Sequence, residues 1–320
     1  MPRDVSETAS FGAFSHRKTP RISKRIIKGI YPHMLFAAFL LTNLLPNRIK
    51  GDSFAFYAIV LAAVLEAIAV VSRKRAVVKD LVFFMFALLI VWTLATSKLN
   101  LLREFLFAPP GKVLRQFILD YRDLVRHIFS SLGLILNGYV IALAAAVPLG
   151  LFIGYSMRAG RTATLISKFL SSIPPIVYIP YGIALLPTFR SVSVMVIFLA
   201  TFWPVLSGTI AGVMYTERKY LDVARNLGCG KFRTLFRIVL PSALPQIFTG
   251  CNQGLSVSFI LLTSAEMIGA RNGMGYYVNY FSDLGDYTRT MVGVFLIGIV
   301  ISVVYAAVGR LQKFILRWQA

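Results

Sequence analysis

The residues of this chain that come closest to a catalytic motif are Gly228-Cys-Gly-Lys231, in a basic segment between two apolar runs. A phosphate-binding loop of nucleotide hydrolases has the pattern GxxxxGK followed by Ser or Thr, and it connects a strand to a helix. Here Arg225 occupies the first glycine position, Phe232 follows the lysine, and the pattern predicts no strand beside them. The segment therefore does not match an ATP site, and any ATP hydrolysis must come from another protein.

The wider segment 217–241 is long for a connection between apolar runs, and it has helical periodicity. Residues 217–227 predict a short helix, and Gly228 suits its C-cap because glycine readily adopts positive φ. Four apolar residues at helical spacing predict a second short helix that Pro241 ends: Phe232, Leu235, Phe236 and Val239. Such a helix–turn–helix could dock into a partner protein or rest on lipid headgroups, and periodicity alone favours neither.

Three ionisable residues lie inside apolar runs, where a charge costs roughly 2.5–3.5 kcal/mol at mid-bilayer. Glu66 is expected to pair with a neighbouring helix or to lie near the interface, and Lys168 to sit near a helix start with its ammonium reaching the surface. Glu266 is a candidate for shaping an outer gate or for an interfacial hydrogen bond. Cys229 and Cys251 form no CxxC pair and have no histidine cluster nearby, so we expect neither a disulfide nor a metal site.

Two spans carry residues that define a candidate translocation path. One run is broken by Pro174, Pro175 and Pro180, and the freed backbone groups are tolerated in a membrane only beside protein or a water-lined cavity. Another run carries polar side chains that partly share a face: Asn252, Gln253, Ser256 and Thr263, with Glu266 beyond them. These residues could line a path or could form hydrogen bonds between packed helices, and both interpretations remain open.

The elements that must position these residues are membrane-spanning helices. Of the 320 residues, 57% are hydrophobic and 15% are charged, and the mean hydropathy is +0.71. A soluble domain carries roughly 25% charged residues, and a helix needs about 20 mostly apolar residues to cross the hydrocarbon core. Run length predicts an all-α polytopic membrane protein with eight spans, at 31–46, 54–71, 80–97, 128–156, 166–187, 192–214, 244–268 and 290–309.

The net charge of +21 is compatible with nucleic-acid binding, but the basic residues lie between apolar blocks and not on one domain. The loops on the side of both termini hold about twice as many lysines and arginines as the opposite loops. We therefore expect contact with membrane lipid, no nucleic-acid partner, and both termini in the cytoplasm. The run from Tyr31 lacks a small-residue cleavage site and is interpreted as a retained anchor.

Residues 98–127 contain a turn and then an amphipathic stretch, expected along the outer membrane surface or against the bundle. Its apolar residues recur at helical spacing: Leu114, Phe117, Ile118, Tyr121, Leu124 and Val125. Its charged residues are expected to be solvated: Arg115, Asp120, Arg122 and Asp123.

The basic loop resembles the EAA signature of permease subunits in binding-protein-dependent ABC importers, written EAA-x3-G-x9-I-x-LP. Asp222, Val223 and Ala224 stand for EAA, Gly228 follows after three residues, and Ile238-Val-Leu240-Pro241 closes the pattern. Asp222 stands in place of Glu and Val223 in place of Ala, so the shorter acidic side chain and the bulkier apolar one are expected to alter the fit to the ATPase. From about residue 80 onward, further segments resemble the nitrate/sulfonate/taurine branch: Ser171-Ser-Ile-Pro-Pro175, Ile210-Ala-Gly-Val213, Leu240-Pro-Ser-Ala-Leu-Pro245, Ala265-Glu-Met-Ile-Gly269 and Gly273-Met-Gly-Tyr276.

The resemblance implies a type I ABC importer transmembrane fold with a core of about six helices, preceded here by two extra spans. It implies two ATPase subunits, a second permease copy in a homodimer, and an extracytoplasmic solute-binding protein, in the bacterial cytoplasmic (inner) membrane. The ATPase binds the ATP, so this chain is expected to be no enzyme and to need no cofactor. The residues assigned to ATPase coupling are Asp222, Ala224, Gly228, Ile238, Leu240 and Pro241. The implied solute is a small anion such as nitrate, a sulfonate or taurine.

The chain is accordingly divided into a cytoplasmic tail (1–30), two extra spans (31–79), a first core span with the amphipathic outer segment (80–127), the permease core with its coupling loop (128–309, loop 217–241) and a second tail (310–320). Two rival functions fit a polytopic protein. One is a secondary transporter or channel without an ATPase, although no internal repeat is obvious. The other is an assembly protein that uses the loop only for docking.

Overall fold

The computed structural model describes residues 21–45, 55–71, 76–99, 101 and 106–319, and the chain divides into two compact units. Every regular element within these ranges is helical. The first unit covers the chain up to Leu102 together with Pro109–Gly111, and the second covers Arg103–Ala108 and Lys112–Ala320.

The first unit contains helices α1 (Arg21–Leu44), α2 (Ala55–Val71) and α3 (Ala76–Thr93), and a π-helical turn, Leu94–Lys98, follows α3. Their shared core consists of Phe39, Ala58, Ala62, Val82, Phe86 and Leu89. The side chains of His33 and Glu66 form a hydrogen bond between α1 and α2, which confirms that Glu66 pairs with a neighbouring helix.

The second unit contains ten α-helices in its described residues: α4 (Pro110–Leu119, whose first two residues are counted with the first unit), α5 (Tyr121–Gly154), α6 (Met157–Ser171), α7 (Ile179–Leu185), α8 (Phe189–Met214), α9 (Arg218–Asn226), α10 (Lys231–Thr234), α11 (Leu240–Gly269), α12 (Met274–Asp283) and α13 (Tyr287–Ile315). A π-helical turn, Leu235–Val239, joins α10 to α11, so that Lys231–Gly269 is one continuous helix.

Four helices in the described ranges are long and apolar enough to cross a membrane: Val77–Lys98, α5, α8 and α13. If each of two bent helix pairs forms one span, the number rises to six: α6 with Pro175–Leu185, bent by 73°, and Lys231–Gly269 with α12, bent by 45°. These six correspond to the predicted core. In α1 and α2 the described apolar stretches are shorter, His33–Leu44 and Phe56–Ile68, so the two extra N-terminal spans stay a prediction.

Helix α8 lies between α5 and α11, and glycines allow the backbones to approach closely. A Cβ on Gly250 of α11 would lie 2.6 Å from the Pro204 carbonyl oxygen of α8, and a Cβ on Gly208 of α8 would lie 2.7 Å from the Gln246 carbonyl oxygen. A Cβ on Gly150 of α5 would lie 2.6 Å from Cβ of Thr209. This small-residue packing holds membrane helices together where lipid removes the hydrophobic drive for association.

The amphipathic stretch belongs to two helices, because α4 ends at Leu119 and the residues from Tyr121 onward start α5. The prediction that Asp120, between them, is solvated is wrong. Its side chain is only 14% exposed, and it accepts hydrogen bonds from the Tyr277 hydroxyl at 2.8 Å, Arg289 Nε at 2.9 Å and Gln116 Nε2 at 2.9 Å. The partners on α12 and α13 are far away in sequence, so local periodicity could not reveal them.

Burial raises the pKa of Asp120, but the hydrogen bonds from Arg289, Gln116 and Tyr277 outweigh it and hold the pKa below its usual value. A carboxyl group with a lowered folded-state pKa stabilises the fold above its unfolded pKa, and this contribution disappears as the pH falls through the folded value. Asp120 therefore anchors α12 and α13 to the start of α5 at neutral pH.

The glycine packing predicts that Gly250→Ala lowers the thermal unfolding temperature of the purified protein, because overpacking costs about 1–3 kcal/mol. Gly298→Ala is the matched control, since a Cβ on that helical glycine of α13 would meet no atom within 4 Å. Equal unfolding temperatures for the two variants would contradict the packing described for α8 and α11.

The Asp120 network predicts that Asp120→Asn lowers the unfolding temperature at pH 7, and that the difference from the wild type narrows below about pH 4, where the unfolded carboxyl becomes protonated. Asp123→Asn, at an exposed neighbouring residue, should have little effect at either pH. A stability difference for Asp120→Asn that is independent of pH would show that the charge of Asp120 is not what matters.

Candidate coupling loop and translocation path

The turn after α9 is a Schellman motif centred on Gly228. The Cys229 N–H donates to the Ala224 carbonyl at 2.9 Å, and the Gly228 N–H donates to the Arg225 carbonyl at 3.0 Å. Gly228 has a φ of +66°, as predicted for a C-cap glycine. Both hydrogen bonds satisfy carbonyls that the end of α9 leaves unpaired, so the turn leaves the helix in a defined direction.

Helix α9 has one face inside the protein and one outside. Leu221 packs against the core cluster of α5, α8 and α11, and Ala224, three residues on, is only 1% exposed. On the other side Val223 is 56% exposed and Leu227, at the end of the helix, is 74% exposed. The signature residue Ala224 therefore packs against the rest of this chain. The apolar residues of α9 that a partner protein could contact are Val223 and Leu227.

The second short helix of the loop does not end at Pro241, and that prediction is wrong. The π-helical turn Leu235–Val239 shifts the hydrogen-bond pattern by one residue, and the Leu240 N–H donates to the Leu235 carbonyl. Pro241 then lies in the first turn of α11, where its missing N–H costs little. The signature residues Ile238, Leu240 and Pro241 are half-buried where the helix continues into the core.

The apolar stripe of this second helix is divided between two environments. Leu235 and Val239 are buried in the core cluster, whereas Phe232 and Phe236 are exposed. Phe232 makes an edge-to-face contact with Phe152 of α5, with ring centroids 6.3 Å apart. The exposed surface of the loop therefore combines apolar side chains of α9 with two aromatic rings of the following helix.

Lys219, Asp222 and Arg225 of α9 are exposed to solvent. Lys219 pairs with Glu217, whose hydrogen bond raises the pKa of the lysine, and Arg225 lies 3.9 Å from the signature residue Asp222. Exposed pairs of this kind contribute little to stability. Asp222 is therefore free to exchange its partner when another protein approaches.

The break in the fifth predicted span is real. Helix α6 ends at Ser171, Pro174 has an extended conformation with a ψ of 119°, and a 3-10 turn, Pro175–Tyr178, leads into α7. Pro180 takes no part in the break, because it lies in the first turn of α7, where no backbone donor is required.

Most polar residues of α11 contact neighbouring groups and not a cavity. Asn252 donates to Gln312 of α13 at 3.1 Å, the hydroxyls of Ser256 and Tyr305 form a hydrogen bond, and Thr263 donates to the Phe259 carbonyl at 2.9 Å. For Asn252 and Ser256 this geometry favours the interpretation as hydrogen bonds between packed helices. Gln253, on an adjacent face, does line a cavity.

Glu266 is 1% exposed and organises the turn between α11 and α12. Its Oε1 accepts from the Ser131 hydroxyl of α5 at 2.6 Å, and its Oε2 accepts from the Gly275 N–H at 2.8 Å. The Ser131 oxygen also accepts from the Met274 N–H at 2.9 Å. A Cβ on Gly273, which has a φ of 138°, would lie 2.3 Å from the Glu266 carboxyl carbon. For Glu266 these contacts favour the interpretation as a hydrogen-bonding residue within the fold.

A polar cavity of about 490 Å³ lies between α6, α8 and α11. It is lined by Lys168, Ser171, Ser172, Pro204, Ser207, Gly208, Ala211, Gln246, Thr249, Gly250 and Gln253. The sequence predicted Lys168 near a helix start, but it lies in the last turn of α6. Among the described residues no cluster of three or more His, Cys, Asp or Glu could hold a metal ion.

The sequence model of the family described as "Binding-protein-dependent transport system inner membrane component" matches residues 146–319, more than half of the chain. The taurine transport system permease protein TauC of Escherichia coli (strain K12) is 27% identical over 234 residues, which cover 71% of this chain and 84% of that protein. The nitrate import permease protein NrtB of Leptolyngbya laminosa is 28% identical over 182 residues, covering 57% and 65%.

The bicarbonate transport system permease protein CmpB of Synechococcus elongatus is 29% identical over 195 residues, covering 59% of this chain and 68% of that protein. A solved structure titled as an inward-facing conformation of the MetNI methionine ABC transporter has a TM-score of 0.52 at 17% identity. It covers 61% of this chain and 97% of that one, and it supports a common fold. The chain belongs to the binding-protein-dependent permease family, and it is a multi-pass inner-membrane permease subunit of an ABC importer whose ATP is hydrolysed on a separate subunit.

Proposed function

We propose that this permease imports a small anion, that it works as a pair of identical subunits with two ATPase subunits, and that segment 217–241 is its coupling loop, on the cytoplasmic side with both chain termini. The observation that carries the coupling role is the exposed apolar surface formed by Val223, Leu227, Phe232 and Phe236. These side chains lie on α9 and on the start of the helix that follows it. An exposed apolar group of this kind on a rigid knob fits a cleft of a partner protein.

The connection between this surface and the membrane part is stiff. Helix α9 is fixed to its neighbour by the Schellman turn, and the neighbour continues as one helix from Lys231 to Gly269. A displacement applied to the loop is therefore transmitted along the helix that lines the polar cavity. A flexible connection would absorb the displacement before it reached the cavity, so the geometry suits rigid-body movement between two states.

The solute class rests on two observations. Named relatives transport taurine, nitrate and bicarbonate, each of which carries an anionic, oxygen-rich group. The lining of the polar cavity includes the cation Lys168 and no acidic side chain. A secondary transporter without an ATPase is disfavoured by the family membership. Uptake assays with the cognate binding protein, offered in turn the anions nitrate and bicarbonate, the zwitterion taurine and an uncharged N-acetylated amino-acid amide, identify the charge class that is transported.

The docking role predicts that Leu227→Asp reduces the affinity of the permease for its ATPase subunit about tenfold or more, since losing an apolar anchor costs roughly 2 kcal/mol. Asn226→Asp is the matched control, because it adds the same charge at an adjacent exposed residue without removing apolar surface. Co-purification of the ATPase at wild-type stoichiometry with Leu227→Asp, at subunit concentrations near the dissociation constant, would contradict docking by this surface.

The turn geometry predicts that Gly228→Val strongly reduces solute-stimulated ATP hydrolysis and uptake while membrane insertion is retained. A side chain at this φ costs roughly 1 kcal/mol or more, although a Cβ there would meet no atom within 4 Å. Gly228→Asn should keep most of the activity, because asparagine tolerates the left-handed conformation. Equal activity of the two variants, measured in proteoliposomes, would show that the turn conformation is unimportant for coupling.

A further inference from the structure

The cavity between α6, α8 and α11 is lined mostly by polar residues, although α8 and α11 are predominantly apolar helices. Its volume of about 490 Å³ exceeds many times the roughly 30 Å³ that a water molecule occupies in the liquid, so a small solute fits with part of its hydration shell. The polar side chains in its lining are Lys168, Ser171, Ser172, Ser207, Gln246, Thr249 and Gln253. The two glycines of the lining, Gly208 and Gly250, bring α8 and α11 together at the cavity wall.

Lys168 is the one cation among the residues that line this cavity. It lies in the last turn of α6, immediately before the break that precedes α7, and its side chain is exposed. No carboxylate of the described residues lies within ion-pair distance of it. A charge in an apolar span is costly, and such residues usually face a water-filled cavity or a partner charge.

The remaining polar side chains of the lining offer hydrogen-bond donors, and none of them carries a negative charge. Ser172 donates to the Lys168 carbonyl at 2.8 Å and Thr249 donates to the Pro245 carbonyl at 3.0 Å, so their hydroxyl hydrogens are used. Four other side chains have no hydrogen-bond partner within the described part of the chain and are available as donors: the hydroxyls of Ser171 and Ser207 and the side-chain amides of Gln246 and Gln253. An ammonium group with hydroxyl and amide donors is suited to an oxygen-rich anion, whereas a cation would meet an unpaired like charge.

We propose that this cavity is an anion-selective station of the translocation path, and that Lys168 supplies the charge that selects the anion. The inference deepens the proposed function and rests on it in taking the solute to be a small anion. Lys168 acts there as a binding group whose field concentrates anions in the cavity, and the amide and hydroxyl donors replace part of their hydration. A lysine in the last turn of a helix also interacts favourably with the helix dipole, so the test must separate these two roles.

The first experiment measures the charge preference of the cavity without transport. Gln253→Cys provides a thiol in the lining, in a background where Cys229→Ser and Cys251→Ala remove the native thiols. The complete transporter in liposomes is treated with an anionic and with a cationic methanethiosulfonate reagent of similar size. We expect the anionic reagent to react about tenfold faster, because a charged cleft raises the local concentration of opposite charge by about that factor or more.

Lys168→Gln should remove most of this preference, and Lys168→Arg should retain it. Lys313→Gln is the matched control, because Lys313 also lies in the last turn of a helix but outside the cavity. A preference that is unchanged in Lys168→Gln, or a thiol that neither reagent reaches with or without ATP, would overturn the proposal. A preference that is lost equally in Lys313→Gln would assign the effect to general surface charge and would also overturn it.

The second experiment measures uptake of the cognate solute with the binding protein and the ATPase present. Lys168→Gln should reduce the uptake of an anionic solute about tenfold, and Lys168→Arg should preserve it. Both experiments are done in vesicles of phosphatidylcholine alone and with added phosphatidylglycerol. Effects of Lys168→Gln that occur only with phosphatidylglycerol would show that Lys168 binds a lipid headgroup, and the proposal would fail.

The two proposals can fail separately. If nitrate, bicarbonate or another anion is transported normally by Lys168→Gln and the reagent preference is unchanged, the solute class stands and the station does not. If the cognate solute is uncharged but the reagent preference depends on Lys168, the cavity is anion-selective as proposed and the assignment of the solute class is wrong.

Discussion

Close approach of helix backbones is the constraint on which the rest of this structure depends. In a bilayer apolar side chains gain nothing by leaving lipid for one another, so association relies on packing at short range and on hydrogen bonds. Helix α8 meets this constraint on two sides, through Gly150 of α5 and through the glycines shared with α11. The cavity lies beside these contacts, and segment 217–241 connects α8 to α11. Any loosening of α8 would therefore affect the cavity and the loop together.

Buried hydrogen bonds hold together helices that the glycine contacts do not join. The carboxylate of Glu266 binds α5 and the turn into α12, and the absence of a side chain at Gly273 makes room for it. At the same end of the bundle, Asp120 joins the start of α5 to Tyr277 and Arg289. These buried interactions connect elements that are distant in sequence, and each satisfies a polar group whose burial would be costly without partners. They fix the end of the bundle opposite the coupling loop.

Local features of the sequence predicted much of this arrangement. The six core spans follow from apolar run length, Gly228 from its position after a helical repeat, and the break at Pro174 from the chemistry of proline. Features that depend on distant partners were not predictable in this way. Asp120 reads as a surface charge until α13 is placed beside it, 169 residues later. Ala224 is buried because its side of α9 faces the core, and periodicity alone did not determine which side of α9 would do so. Gly208 and Gly212 of α8, like Gly250 and Gly254 of α11, lie four residues apart, and this spacing is a sequence signal of close helix packing.

The π-helical turn at Leu235–Val239 determines the direction in which the loop faces. One additional residue in a helix of 3.6 residues per turn rotates everything beyond it by about 100° around the axis. A single residue in this turn thus determines the side of the helix axis on which Phe232 and α9 lie relative to the cavity. Removing that residue would leave each helix intact, yet it would turn the exposed apolar surface toward a different neighbour. The length of this short segment is therefore as constrained as the chemistry of its side chains.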